Sequence, residues 1–181
     1  MGFHIMLDLK FHDIPSTVER SCRAAVRHRV SMLTVHASGG RAMLEAAVQG
    51  VRSEAKRLRR RPPLVLGVTT LTSIAERRGR SAREVVRLAG DALQAGCDGV
   101  VSSAQEADRL RRRFGRRLWI VCPGIRPAGT RAGDPSTRFA RSGSSRAKSR
   151  DDQRRIATPA DAMRRGADVL VVGRPITEAR N

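Results

Sequence analysis

Short apolar runs alternate with longer amphipathic segments along the whole chain. The runs are rich in Val, Ile and Leu on both faces, which predicts buried β-strands, and the longer segments have the apolar spacing of α-helices. The predicted strands are residues 5–11, 31–37, 63–71, 98–103, 118–125 and 168–176, and the predicted helices lie near 16–28, 40–59, 81–95, 104–114 and 159–165. Strands that alternate with helices in this way indicate a parallel sheet.

Local signals support several of the helix boundaries. Gly96 and Gly166 each stand just before a predicted strand, where glycine commonly ends a helix. Ser81 and Thr158 are candidates for helix N-caps, and Pro159 follows Thr158 at the favoured first helical position.

Two α/β folds fit this order of elements, an open doubly wound sheet and a (β/α)8 barrel. Polar residues favour the barrel, because they follow the predicted strands at their carboxyl ends, where barrels carry their catalytic groups. An open sheet obeys a similar rule, and only six strands are found where a barrel has eight. The residues therefore favour a TIM barrel over an open sheet, in a single domain over residues 1–181.

Residues 127–157 interrupt the alternation. They have no apolar period and are rich in Gly, Ser and Arg. A loop of this length in a compact domain is usually a functional lid or a disordered insertion. We predict a long basic lid or insertion loop here.

The chain is strongly basic, with 36 Lys and Arg against 17 Asp and Glu and a formal net charge of +19. Such a charge could attract nucleic acid. The arginines, however, fall mostly on predicted helix faces and helix ends, and aromatic residues do not interleave with them. We do not expect a nucleic-acid partner, although a basic RNA-binding protein remains the alternative from a different functional class.

The lengths of the apolar runs and the pattern of cysteines indicate the cellular compartment of the protein. No stretch approaches the roughly 20 apolar residues of a membrane span, and the first residues do not resemble a signal peptide. The three cysteines, Cys22, Cys97 and Cys122, are scattered and odd in number, which favours a reducing compartment over disulfides or structural zinc. We expect a cytoplasmic protein with no membrane partner.

Charged residues enter the first predicted strand in "LDLKFHDIP", residues 7–15. In a strand Asp8 and Lys10 point the same way, and in a barrel that way is inward. An inward lysine needs a partner, and Asp8 is the nearest. Asp13 follows where the strand turns into its loop. Carboxylates on both sides favour the ammonium form of the lysine and make it a proton donor.

The same spacing has a plainer interpretation, in which an ordinary buried ion pair is followed by a helix-capping aspartate. The inward direction of Asp8 and Lys10 would leave Leu7, Leu9 and Phe11 to pack against the helices.

A second group of polar residues follows the last two predicted strands. "CPGIRP" ends with Arg126, and "VVGRPI" contains Gly173 and Arg174. The loops after the last strands of many barrels bind phosphate, and these residues offer open backbone and charged forks. The alternative is surface arginines in an arginine-rich protein. No cluster of His, Cys or carboxylates has convincing metal-binding spacing, and no nucleotide-binding glycine motif is present.

The motifs "LDLKFHDIP", "TVHASGG", "VTTLTS", "PGIRP", "DDQRRIATPADA" and "VVGRPI" together resemble the orotidine 5′-phosphate decarboxylases, in order and in relative placement, from about residue 5 to 178. The D-x-K-x-x-D pattern also occurs in related sugar-phosphate decarboxylases and synthases. The "PGIRP…DQ…TP…GRP" series points to the orotidylate branch.

The resemblance implies a homodimeric barrel of pyrimidine biosynthesis that converts orotidine monophosphate to UMP and CO2 without metal or cofactor. It implies that Lys10 protonates C6 of the pyrimidine, that Asp8 lies beside the departing CO2, and that Asp13 reaches into the partner subunit's site. The implied substrate-binding residues are Thr72, near the pyrimidine amide, and Arg126, Gln153, Gly173 and Arg174, at the lid and phosphate positions.

The sequence departs from the family pattern in three places. It starts before what would be the third strand, so an aspartate and a lysine of the family's first two strands have no counterpart. The lid between Gly133 and Asp151 is longer by about fifteen residues. The last helix is missing. We therefore expect strands 3–8 of a truncated barrel with poor activity, and an inactive fragment is the alternative.

Overall fold

The computed structural model describes residues 3–69, 82–126 and 156–178. Its six strands are β1 (Met6–Phe11), β2 (Met32–His36), β3 (Leu64–Val68), β4 (Gly99–Val101), β5 (Trp119–Cys122) and β6 (Val169–Leu170). Its α-helices are α1 (Pro15–Arg27), α2 (Arg41–Arg57), α3 (Ala82–Gln94), α4 (Ala104–Phe114), α5 (Pro159–Arg164) and α6 (Arg174–Thr177), and short 3-10 turns span Ala37–Gly39 and Gly115–Arg117.

The six strands form one parallel sheet in chain order, β1-β2-β3-β4-β5-β6. Each neighbouring pair of strands is joined by a crossing segment on the outer face, as parallel pairing requires. The sheet curls into an incomplete (β/α)8 barrel, and the predicted fold class is confirmed. Each of the five predicted helices is present in the described parts of the chain.

The last predicted strand is partly wrong. Strand β6 ends at Leu170, and residues Arg174–Thr177 form a helical turn within the range predicted as strand. Pro175 lies in the first turn of that helix, where its missing N–H costs nothing, whereas it could not donate a hydrogen bond within a sheet.

The core lies on both faces of the sheet. Along β3, Val65 faces the helices and Leu66 faces the barrel interior, and Ile120 and Val121 repeat this alternation on β5. The helix-side cluster is the larger, and it joins α1, α2, α3, α4 and α5 to the sheet. Burial on both faces explains why the strands read as continuous apolar runs.

Helices α1 and α2 cross closely at Gly50. A Cβ atom on Gly50 would lie 2.6 Å from the backbone oxygen of Glu19, so only glycine fits at this crossing. Val18 and Cys22 on α1 are buried beside Val51 of α2. This contact fixes the two helices that cover β1 and β2.

Two aspartates bind the amino-terminal edge of the sheet in the same way. The Asp98 carboxylate accepts a hydrogen bond from the N–H of Val65 at 2.8 Å, and the Asp168 carboxylate accepts one from the N–H of Ile120 at 2.8 Å. Asp98 directly precedes β4 and binds the start of β3. Asp168 directly precedes β6 and binds the start of β5. The β3–β4 and β5–β6 pairs therefore begin with an equivalent side-chain bond.

The glycines before these aspartates also correspond. Gly96 and Gly166 both have positive φ, of 89° and 97°, and both end the preceding helix. Arg52 donates to the carbonyl of Gly96 at 3.2 Å, and Arg111 donates to that of Gly166 at 2.7 Å. The boundaries between helix and strand that precede β4 and β6 are therefore built in the same way.

All three cysteines are buried and free. Burial raises the pKa of each thiol, Cys22, Cys97 and Cys122, to about 12. Thiols of this kind are inert structural groups rather than nucleophiles. Within the described ranges, no helix has the length and apolar character needed to cross a membrane.

A buried carboxylate joins α1 to α2. Glu54 is 1 % exposed, and its oxygens accept hydrogen bonds from Arg57 at 2.7 and 3.0 Å and from Arg27 at 2.7 Å. Arg23 lies 3.8 Å away. These guanidinium groups lower the pKa of Glu54 to about 2, first through the hydrogen bond from Arg57 and then through that from Arg27. The carboxylate is therefore charged at neutral pH.

Replacing Glu54 by Gln is expected to lower the melting temperature at neutral pH. The substitution keeps the size of the side chain but leaves two guanidinium groups facing a neutral amide in a buried site. The matched control is Glu45→Gln, which breaks an exposed pair with Arg41 on the same helix and should change the melting temperature little. Thermal unfolding followed by circular dichroism measures both.

The contribution of Glu54 to the stability of the fold should depend on pH. Because the folded pKa lies below the ordinary value of 4.5, the stabilisation is complete above about pH 4.5 and is lost as the pH falls toward about 2. The gap in melting temperature between the parent chain and Glu54→Gln should narrow across that range. A gap that stays constant down to about pH 3 would contradict this account.

Candidate active site

The carboxyl ends of all six strands lie at one edge of the sheet, because every pair is parallel. Apart from Asp13, the predicted functional residues in the described ranges lie at this edge in two groups. One group, Asp8 and Lys10, lies on β1, and the other surrounds a cavity after β5 and β6. Thr72 and Gln153 lie outside the described residues, as do residues 127–155 of the predicted loop.

Strand β1 contains a bulge where it carries the lysine. Leu7 pairs with Leu33 and Phe11 pairs with Val35, so four steps along β1 match two along β2. Within this bulge Lys10 has a φ of +51°, a left-handed conformation that costs a non-glycine residue roughly 1 kcal/mol. Regular alternation along the strand therefore does not set the direction of Lys10. The bulge does.

The predicted pair of Asp8 and Lys10 is formed. The Lys10 Nζ donates to the Asp8 carboxylate at 2.6 Å, with the two side chains 31 % and 44 % exposed. The ammonium is thus held at the open edge of the sheet, within reach of a ligand. Leu9 differs from expectation, since it is 62 % exposed on the outer strand rather than packed against the helices.

Thr34 on β2 completes this group, and sequence reasoning missed it. Its side chain is fully buried, and its hydroxyl donates to Asp8 at 2.9 Å and accepts from the Lys10 backbone N–H at 2.9 Å. The available signal was its position in "TVHASGG", directly across from the charged strand. Without knowledge of the bulge in β1, this position indicates only an ordinary strand threonine.

Asp13 takes a separate position. It is exposed, and its carboxylate accepts a hydrogen bond from the neighbouring N–H of Ile14 at 2.6 Å. Helix α1 begins at Pro15 without a side-chain cap. Among the described residues, Lys10 forms an ion pair with Asp8 and none with Asp13. The expectation that one chain holds Lys10 between two carboxylates is therefore met only for Asp8.

The second group lines a shallow cavity of about 120 Å³ between the ends of β5 and β6. Arg126, Gly173 and Arg174 all lie on its wall. Among the described residues, no atom comes within 4 Å of the position that a Cβ on Gly173 would occupy, so the backbone is open to a ligand on that side. The two arginines, which follow different strands, are thereby brought to one cavity, as the sequence predicted.

The two ends of the long loop meet beside this cavity. Ile125 and Ala157 form a parallel backbone bridge, in which the Arg126 N–H donates to the Ala157 carbonyl at 3.0 Å. Thr158 then caps α5, and its hydroxyl accepts from the Asp161 N–H at 3.2 Å, as predicted. The described chain therefore stops and resumes at one place, since the Ala157 backbone is paired with that of Arg126.

Two histidines stand beside the charged pair. The rings of His12 and His36 are 5.1 Å apart, centroid to centroid. The pKa of His36 is lowered below its ordinary value of 6.5, mainly by burial and further by the nearby charges of His12 and Lys10. Neutral His36 avoids a further positive charge close to Lys10. The described residues include no cluster of three or more His, Cys, Asp or Glu arranged to hold a metal ion.

A family model described as "Orotidine 5'-phosphate decarboxylase / HUMPS family" matches residues 1–181. The chain belongs to this family. Two relatives named orotidine 5′-phosphate decarboxylase, from Hydrogenovibrio crunogenus and Moorella thermoacetica, are each 45 % identical to it. The matches cover 99 % and 98 % of this chain, and 70 % and 67 % of the relatives' own lengths.

A solved structure supports the same assignment to the orotidine 5′-phosphate decarboxylase family. The orotidine 5′-phosphate decarboxylase of Lactobacillus acidophilus is similar to this chain with a TM-score of 0.74 and 34 % identity, over 98 % of this chain and 70 % of that one. The predicted family, the orotidylate decarboxylase function and the carboxy-lyase class are confirmed by these comparisons.

The low pKa of His36 can be measured by NMR titration of the imidazole resonances. The midpoint should lie below 6.5 and should rise in His12→Ala, because that variant removes a neighbouring positive charge. Lys56→Ala, a charge removed elsewhere, on α2, serves as the control and should leave the midpoint in place. Because the unfolded chain takes up the proton first, His36 makes stability fall as the pH drops below 6.5. A midpoint at or above 6.5 would contradict this assignment.

Proposed function

We propose that the edge carrying Lys10 and Asp8 is the catalytic site of an orotidine 5′-phosphate decarboxylase. The observation that carries the proposal is the 2.6 Å ion pair of Lys10 and Asp8 at the carboxyl edge of the sheet, in a chain of this family. The substrate is orotidine 5′-phosphate, the products are UMP and CO2, and the reaction serves pyrimidine biosynthesis without a cofactor.

Lys10 is the proton donor in this proposal. Loss of CO2 from C6 of the pyrimidine leaves an electron pair with no easy delocalisation, so the site must stabilise negative charge and then deliver a proton. An ammonium already fixed in place supplies both, and its reorganisation cost is small because the strand bulge and Asp8 hold it. The proton passes from Nζ to C6.

Asp8 has two tasks in this scheme. It keeps Lys10 in position, and it lies beside the substrate carboxylate that departs as CO2. Its two oxygens are both engaged, one by Lys10 and one by Thr34, so the carboxylate cannot rotate freely. A fixed negative charge next to a leaving carboxylate favours departure of the neutral gas.

Asp13 acts across a homodimer in this proposal. Its exposure and its lack of an ion pair with Lys10 of its own chain, among the described residues, support a role in the site of a second copy. The partner's carboxylate would then supply the second acid beside Lys10.

The cavity of Arg126, Gly173 and Arg174 is the phosphate subsite in this proposal. Its open backbone and two guanidinium groups suit a dianion. Gln153 and the loop 127–157 would close over the phosphate, and Thr72 would meet the pyrimidine amide. The bridge between Ile125 and Ala157 supports a lid, because it anchors both loop ends beside Arg126. Binding energy gained at the phosphate can then hold the substrate in place for chemistry.

A cytoplasmic location is part of the proposal. Free thiols buried at Cys22, Cys97 and Cys122 suit a reducing compartment, and the substrate class belongs to nucleotide metabolism.

The loss of orotidylate's ultraviolet absorbance tests the proposal. The purified chain should turn substrate over, at a rate below the ordinary enzyme range of about 1–1000 per second. Lys10→Ala should reduce that rate about 100-fold or more, because it removes the proton donor. Lys56→Ala removes a lysine from the exposed face of α2 and should keep the parent rate.

Three results would contradict the proposal. Equal turnover by the parent chain and Lys10→Ala would remove Lys10 from the chemistry. A folded parent chain that never consumes orotidylate would favour the inactive alternative. Salt-dependent binding of RNA that Lys10→Ala does not alter, without turnover, would favour the basic RNA-binding alternative.

Mixing variants tests the shared site. Lys10→Ala and Asp13→Ala should each be inactive alone, but their equimolar mixture should recover about a quarter of the parent activity, because about half of its dimers are mixed and one of the two sites in each mixed dimer is intact. The matched control mixes Lys10→Ala with Asp8→Ala. Both residues belong to one subunit's half of the site, so no intact site forms and no activity should return. Recovery in neither mixture would exclude a contribution of Asp13 across the interface.

A further inference from the structure

We propose that Thr34 is the positioning residue of the catalytic pair. This inference rests on the proposed function, because it assigns a role in the same site. Thr34 would touch neither the departing CO2 nor C6. It would act by holding both Asp8 and Lys10 in the geometry that the reaction needs.

Among the described residues, both hydrogen bonds of the Thr34 hydroxyl go to these two residues. A hydroxyl has one proton to donate, and Thr34 donates it to Asp8 Oδ1 at 2.9 Å. Its oxygen accepts from the Lys10 backbone N–H at 2.9 Å. The other Asp8 oxygen binds Lys10 Nζ at 2.6 Å. The hydroxyl, the carboxylate and the lysine thus form a closed ring of three contacts.

The ring explains how Lys10 keeps an unfavourable backbone. The bulge in β1 removes Lys10 from the regular pairing with β2, and its φ of +51° is one that a lysine seldom adopts. Its N–H, which a regular strand would direct to a backbone carbonyl, is directed instead to a side chain of β2. Thr34 therefore replaces the missing ladder bond and fixes the bulge.

Thr34 is also built into the rigid part of the sheet. It is 0 % exposed, and its neighbours Leu33 and Val35 are buried in the helix-side core. Asp8 and Lys10, in contrast, are partly exposed on β1, an edge strand of the described sheet. The buried strand thus holds the position of two charged groups that the outer strand alone would leave mobile.

Thr34→Val and Thr34→Ser test this role. Valine has the shape of threonine without the hydroxyl, and serine keeps the hydroxyl without the methyl group. We expect Thr34→Val to lower kcat about tenfold or more, since two partners lose their bond, with KM changed less than about threefold because the phosphate subsite is untouched. Thr34→Ser should restore kcat to within about threefold of the parent.

Hydrogen exchange of the Lys10 amide gives a readout independent of activity. In Thr34→Val the Lys10 N–H should exchange faster by about tenfold or more, and in Thr34→Ser it should keep its protection. The control is Thr69→Val. Thr69 is also buried, and its hydroxyl donates to the Val101 carbonyl at 3.1 Å. That variant should lose some thermal stability and leave the Lys10 amide unchanged.

The outcomes separate this inference from the proposed function. A parent chain without turnover defeats the proposed function, and with it the positioning role. Turnover with an unchanged kcat in Thr34→Val overturns the role of Thr34 and leaves the function standing. Unchanged exchange of the Lys10 amide in Thr34→Val also overturns it. If Thr34→Val does not fold, Thr34→Ser decides, because loss of kcat despite a retained hydroxyl would assign Thr34 to packing.

Discussion

Parallel pairing of the strands in chain order is the constraint on which the remaining structure depends. Each strand must return to the same end of the sheet before the next can pair, so the chain crosses the outer face between neighbouring strands. All carboxyl ends therefore meet at one edge. Residues as far apart in sequence as Lys10 and Arg174 therefore reach the same edge. The sheet brings the functional residues to one side, and local geometry then refines each group.

Much of the architecture follows from residue types alone. The strands are apolar on both faces because helices cover one side and the barrel interior covers the other, as Val65 and Leu66 show. Gly96 and Gly166 predict helix ends because glycine accepts a positive φ, and Thr158 predicts a helix start because its hydroxyl can cap the first turn. The range 168–176 predicts a strand throughout because its apolar composition continues past Leu170. Only Pro175 signalled the turn of helix that follows.

The site was only partly predictable, for physical reasons. Residue types and spacing were enough to pair Asp8 with Lys10 and to group Arg126 with Arg174. They were not enough to predict the bulge in β1, because two extra residues in one strand leave no trace in apolar spacing. Thr34 was hidden for the same reason, since its partners depend on the register across that bulge. Glu54 was missed because its burial depends partly on Arg27, which comes from another helix.

The bridge between Ile125 and Ala157 also bears on how this fold tolerates changes of length. Once the two ends of a segment are fastened together, doubling the segment's length adds only about 0.6 kcal/mol of closure entropy. Insertions within residues 127–155 therefore leave the sheet's register nearly undisturbed, since the Arg126 and Ala157 backbones stay paired. Evolution can lengthen or recompose this segment almost independently of the barrel. The same junction is a natural place to graft a foreign peptide onto the scaffold.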